Sequence, residues 1–197
     1  MAFVLDENRT TEYKFSESEI GTYAFNEDNC QSASNVSYKF RLTIWFNSID
    51  KVNRKLNASA NSRLWSGSGS AFSGYSVVTK VFVDGVESAT KTIKSLDKGS
   101  NVAGAQWTGD LQYNEDGKAE ATFKATLSCS STAAYPPKSC EVQIKVAFAD
   151  IEALSKKSFK VHINGEFKDS VAYVFTEDKW TEAVAYVRNE NEWKEGA

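Results

Sequence analysis

The sequence predicts an all-β protein built as an antiparallel β-sandwich, and three observations carry that expectation. In "YKFRLTIWFN", Tyr38, Phe40, Leu42, Ile44 and Phe46 fall on one face while Lys39, Arg41, Thr43, Trp45 and Asn47 fall on the other, the period-two signature of a strand with one buried side. The same alternation recurs in short runs from residue 36 to 149, seven or eight in all, with no helical periodicity between them. The two prolines stand together at Pro136 and Pro137, and Gly, Ser, Asn and Asp punctuate the runs.

Residues 1–35 read as an extended arm with few apolar anchors, adding at most one strand. The sandwich domain is set at 36–150. After the strand from Tyr38, "KLNASANSRLW" alternates Leu56, Ala58, Ala60, Ser62 and Leu64. "SGSGSAFSG" reads as a flexible loop inside the domain, because strand-like text resumes on both sides. "YSVVTKVFVDGVESATKTIKSL" contains Asp84-Gly85, the chemistry of a two-residue hairpin turn. "QWTGDLQY" places Trp107, Gly109, Leu111 and Tyr113 on one face, and "NEDGK" turns the chain back. "AEATFKATLSC" then gathers Ala119, Ala121, Phe123, Ala125, Leu127 and Cys129, and "CEVQIKVAF" gathers Cys140, Val142, Ile144, Val146 and Phe148.

Residues 151–197 form a separate unit. "FKVHINGEF" predicts a hairpin through Asn164-Gly165, and a short internal repeat follows. Phe167, Trp180 and Trp193 stand at intervals of 13 residues, and Tyr173-Val174 recurs as Tyr186-Val187 at the same interval. Each copy reads as one β-turn-β element too small to bury its own aromatic, so copies must stack on one another or on a neighbouring chain.

Hydrophobic residues make up 41% and charged residues 25%, ordinary for a globular protein. The net charge of −3 argues against generic nucleic-acid binding. Residues 1–30 hold seven acids and two bases and residues 161–197 eight acids and four bases, leaving a basic middle. That suits neighbour contacts, or a solvated surface of mixed charge. No basic n-region with an apolar stretch opens the chain and no run has the length of a membrane span, so synthesis and folding in a cytoplasm are expected. On that reading the sequons at Asn8, Asn35 and Asn57 carry no glycan.

The chemistry of catalysis is not written in these residues. The one histidine, His162, alternates with Val161 and Ile163 beside a turn, with no visible partners for a triad or a metal cluster. The "GSGSAFSG" loop lacks the Lys-Ser/Thr of a phosphate cradle. "NEDGKAE" lacks the length and closing acid of an EF-hand loop. Glu115-Asp116 carries no mark above ordinary turn residues. Three cysteines without a CxxC pair argue against a zinc site on spacing. Cys129 and Cys140 flank the same loop; either they join as a disulfide or they stay small buried hydrophobes, the second suiting a reducing cytoplasm. No enzyme, cofactor or metal is expected.

Aromatic residues are the positive signal, at 13% of the chain. Trp45 lies on the polar face of its strand, and Trp65 ends another strand just before the Gly/Ser loop, with Phe72 and Tyr75 after it. Such aromatics either stack on sugar faces and fill interfaces, or they are covered, Trp45 by the arm and Trp65 as a cap on the core. Trp180 and Trp193 would form the small core of the tail unit.

"LQYNEDGKAEATFKATLS" resembles the strand-turn-strand phrase of siphophage tail and minor structural proteins with immunoglobulin-like sandwiches. The order of "YKFRLTIWF", "RLWSGSGSAFSGYSV" and "VFVDGVES" before it fits the same family. "VHINGEFKDSVAYV" and "VAYVRNENEWKEGA" look like the repeats closing many phage and prophage virion proteins of Gram-positive bacteria, with "RNENEW" where that family carries an Asn-Gly turn. The resemblance covers roughly 36–150 loosely and 159–197 more specifically. It implies an immunoglobulin-like antiparallel β-sandwich with a small C-terminal β-hairpin repeat unit, working as a non-enzymatic virion component: a tail-tip, fibre-associated or surface decoration protein. Its implied partners are other virion proteins, further copies of itself and a host-surface polysaccharide, with no nucleic acid and no membrane. The alternative is a carbohydrate-binding module gripping host wall glycans through Trp45, Trp65, Phe72 or Tyr75.

Overall fold

The computed structural model describes residues 10–32, 38–67 and 71–153, together with the backbone of six strands between 159 and 195. The chain divides into two compact units, Met1–Ala153 and Leu154–Ala197.

The first unit is a β-sandwich. One sheet holds β2 (Tyr23–Ser32), β3 (Tyr38–Asp50), β4 (Lys55–Ser66) and β7 (Asn101–Gln112), in that order. The other holds β6 (Val86–Leu96), β5 (Phe72–Val83), β8 (Glu120–Ser128) and β9 (Pro137–Ala147), with the short β1 (Glu12–Lys14) parallel to β9. Apart from β1, every pairing is antiparallel. The two sheets share β2: residues 23–30 pair with β3, and Gln31-Ser32 cross to pair with β9. Within this order, β4 lies beside β7 and β5 beside β8. Those are the B–E and C–F pairings of an immunoglobulin-like sandwich, with β9 as the G strand.

Alternation decides what is buried. Tyr38, Phe40, Leu42, Ile44 and Phe46 of β3 face Phe123, Ala125 and Leu127 of β8 and Val142, Ile144 and Val146 of β9 in one core. Leu56, Ala58, Ala60, Ser62 and Leu64 of β4 are all buried, as their spacing predicts. The Asp84-Gly85 turn joins β5 to β6 with Val83 opposite Val86. Both turn residues have positive φ, 49° and 81°, which is the type I′ geometry matching the right-handed twist of a hairpin.

The N-terminal segment corrects one expectation. Set apart by its sequence as an arm, it is woven into the sandwich from residue 10 to 32. Phe15 is fully buried between Phe46 and Phe148, with ring centroids at 5.5 and 5.7 Å, and Ala24, Phe25 and Cys30 are buried along β2. Two interior strand edges need β2 for their hydrogen bonds, and that demand overrides a polar composition.

Among the described residues, the second unit holds three antiparallel strand pairs, each a hairpin: β10 (Phe159–Ile163) with β11 (Glu166–Ser170), β12 (Ala172–Thr176) with β13 (Lys179–Ala183), and β14 (Tyr186–Asn189) with β15 (Glu192–Glu195). The 13-residue period of the sequence is the period of the hairpins. Phe167, Trp180 and Trp193 each take the second position of a returning strand, opposite His162, Phe175 and Arg188. Asn164-Gly165 and the side chains of Phe167, Tyr173, Trp180, Tyr186 and Trp193 lie outside the described residues.

Candidate functional site

The strict alternation that drives one face of β3 into the core drives Lys39, Arg41, Thr43, Trp45 and Asn47 to the outer face of its sheet. The register then builds rows across four strands. Tyr23, Trp45, Ser59 and Thr108 make one row, and Phe25, Thr43, Asn61 and Gln106 the next. Glu27, Arg41 and Arg63 follow, then Asn29, Lys39, Trp65 and Asn101. Trp45 and Trp65 thus stand at two ends of the face, six residues of strand apart, about 20 Å at 3.3 Å per residue.

Between them runs a groove of about 290 Å³, lined by Tyr23, Arg41, Thr43, Trp45, Asn61, Ser62, Arg63, Trp65 and Gln106. The Tyr23 ring lies against Trp45 with centroids 4.6 Å apart. At the other end the Arg41 guanidinium is sandwiched, 4.0 Å from the Phe25 ring and 5.0 Å from Trp65. Arg63 lies 5.8 Å from the same indole and donates to Asn101 Oδ1 at 2.8 Å.

An ion triad sets this geometry. Glu27 accepts hydrogen bonds from Arg41 Nε at 2.9 Å and Nη2 at 2.6 Å, and from Lys39 Nζ at 3.2 Å. Glu27 and Arg41 are both only 7% exposed although they lie on the outer face. Burial pulls the Glu27 carboxyl upward, but the hydrogen bonds and charges of Arg41 and Lys39 outweigh it and hold the group below the ordinary carboxylate range. The salt bridge fixes the guanidinium plane beneath Trp65, so the indole rests on a rigid cation rather than on solvent. Beyond Trp45, polar side chains are cross-linked as well: Asn47 donates to Asn57 (2.9 Å) and Ser59 (2.8 Å), Asn57 donates to Asp110 (2.8 Å), and Ser59 meets Thr108 at 2.9 Å.

Such a surface can hold a flat, hydroxyl-rich ligand. Aromatic faces take its apolar side, and amide and guanidinium groups offer paired donors and acceptors to adjacent hydroxyls. Its acids are engaged by their neighbours, Glu27 by Arg41 and Lys39 and Asp110 by Asn57. Among the described residues no group of three or more His, Cys, Asp or Glu is placed to hold a metal ion.

Of the four aromatics singled out in the sequence, the structure brings two together. Phe72 is a correction: it is 5% exposed and packs edge-on against Tyr38 at 6.1 Å. Tyr75 packs against the core from β5, in the other sheet. The groove residues not singled out as site candidates were Tyr23, Arg41, Thr43, Asn61, Ser62, Arg63 and Gln106. Asn57, Ser59, Asn61, Arg63 and Trp65 recur at every second position of "KLNASANSRLW", and that polar-aromatic outer row was the available signal.

Of the two alternatives left open for Cys129 and Cys140, the structure shows the unbonded one. Cys129 follows the last residue of β8 and Cys140 lies inside β9, where Leu127, not Cys129, faces it. Cys129 lies two residues further along, its backbone N–H donating to Lys138 at 2.9 Å. All three thiols are free; the Cys140 thiol points to the Asp28 carbonyl oxygen at 4.0 Å, and the side chain with the largest electrostatic influence on it is Cys30.

Compared with known proteins, the chain matches no family model, no curated protein and no solved structure.

Proposed function

We propose that this chain is a non-enzymatic structural protein of a bacteriophage virion, a tail-tip, fibre-associated or surface decoration component whose β-sandwich is the displayed domain. The observation that carries the reading is the tail of three successive hairpins at a 13-residue period. Isolated two-stranded ribbons of four or five residues are not stable in water. Repeated ones gain stability by stacking on equivalents, which is how a fibre or a docking stem is built. The resemblance of these repeats to those closing virion proteins supports the same assignment. Light scattering tests it: the full chain self-associates, whereas a chain ending at Ala153 is monomeric. A full chain that stays strictly monomeric at high concentration refutes it.

The groove favours a second reading, contact with a host wall polysaccharide, which is compatible with a place on the virion. Its support is the pairing of Tyr23-Trp45 and Arg41-Trp65 across one polar groove. Co-sedimentation with purified cell-wall fragments is expected for the full chain and lost in Trp65→Ala and Trp45→Ala with the fold retained by circular dichroism. Unchanged sedimentation of both variants excludes this face as the contact.

A further inference from the structure

The seam where β2 passes from one sheet to the other carries two cysteines that neither reading uses. Gln31 pairs with Ser139, and continuing that antiparallel register by one pair sets Cys30 opposite Cys140. Cys30 simultaneously closes the pairing of β2 with β3, opposite Tyr38. Facing residues on adjacent antiparallel strands have Cα atoms about 4.5–5.5 Å apart, inside the window a disulfide requires. Cys129 does not compete, because a diagonal two positions off the facing pair is about 7–8 Å away.

We propose that Cys30 and Cys140 are a redox-driven staple, oxidised to a cross-strand disulfide by a small-molecule disulfide and locking the two sheets together. Their environments divide the labour. Cys140 is half-buried and reachable, 4.0 Å from the Asp28 carbonyl oxygen, and the neighbouring Cys30 side chain holds its thiol below the ordinary range. Cys30 is buried, and the neighbouring Cys140 side chain together with burial pushes its thiol up. Cys140 is therefore the attacking thiolate and Cys30 the resolving thiol. The Cys140 sulfur attacks one sulfur of the oxidant, forming a mixed disulfide and expelling one thiolate. The Cys30 sulfur, its proton passing to that thiolate, attacks the Cys140 sulfur and expels the second. Two protein thiols are oxidised and one disulfide is reduced to two thiols.

The test incubates the full native chain with oxidised glutathione, alkylates what remains free, and digests with trypsin; cleavage after Lys138 separates Cys129 from Cys140. Linked Cys30 and Cys140 peptides, an alkylated Cys129, and a melting temperature raised by roughly 10 °C are expected, since the bridge closes a loop of about 110 residues. Dithiothreitol reverses all three. Cys129→Ser behaves like the native chain, and Cys30→Ser stops at a glutathione adduct on Cys140. A Cys129–Cys140 linkage, a persistent adduct on Cys140 of the native chain, or a bridge that leaves the melting temperature unmoved overturns the proposal.

Discussion

Replacing Glu27 by Gln isolates the most charged point of the sandwich. The substitution keeps shape and one acceptor but removes the charge that neutralises Arg41. Both partners are nearly sealed from solvent, with side chains 9% and 8% exposed and a contact of 2.6 Å, so screening by water is weak. Lys39, with its side chain 52% exposed, contributes little. Leaving a buried cation without its counterion costs about 3 kcal/mol at the lower end of such cases. For a domain of this size that is a fall of roughly 6–12 °C in melting temperature. Urea unfolding followed by tryptophan fluorescence measures it. A companion variant, Glu27→Leu with Arg41→Met, replaces the pair by apolar volume and is expected to return to within about 1 kcal/mol of the native chain. A loss under about 0.5 kcal/mol in Glu27→Gln means the triad is not holding the face, and the account of Trp65 resting on a pinned guanidinium fails with it.

The same carboxyl has an acid signature. It is held below its ordinary 4.5 in the folded chain, so its stabilisation is complete above that value and is lost as pH falls through the lower folded-state value; Glu27→Gln flattens this part of an acid titration of stability. Gly117→Ala is expected to cost at least about 2 kcal/mol, because φ is +76° and the new Cβ would sit 2.0 Å from the Ile151 carbonyl oxygen; a melting temperature unchanged from native contradicts that. Phe72→Ala costs about 3 kcal/mol in chemical unfolding yet leaves wall-fragment binding of the folded fraction intact, which separates core aromatics from groove aromatics.

What the sequence showed depended on whether a strand had one consistent apolar face. β3 and β4 do, so their buried and outer rows could be read residue by residue. β2 does not: Phe25 is buried on the outer face under Arg41, while Asp28 and Asn29 are exposed, and "YAFNEDNC" therefore read as arm. Phe72 was hidden by its glycine and serine flanks, although it is the first residue of β5 and lies over Tyr38. Both halves of the groove were visible as outward aromatics. Their union was not, because it depends on which strands become neighbours, and local alternation carries no such information. The Cys30–Cys140 meeting is non-local in the same sense, whereas the flanking-loop argument for Cys129 judged proximity along the chain instead of register.

The strand shared by both sheets also dictates a timetable. The last pairing of β2 waits for β9, more than a hundred residues later, so a chain leaving the ribosome holds an unfinished edge until that strand follows. Closing so distant a contact is slow. Until the ninth strand arrives, Phe15 has no Phe148 to lie against, and premature release or a pause in translation before that point is where this protein is most exposed to aggregation.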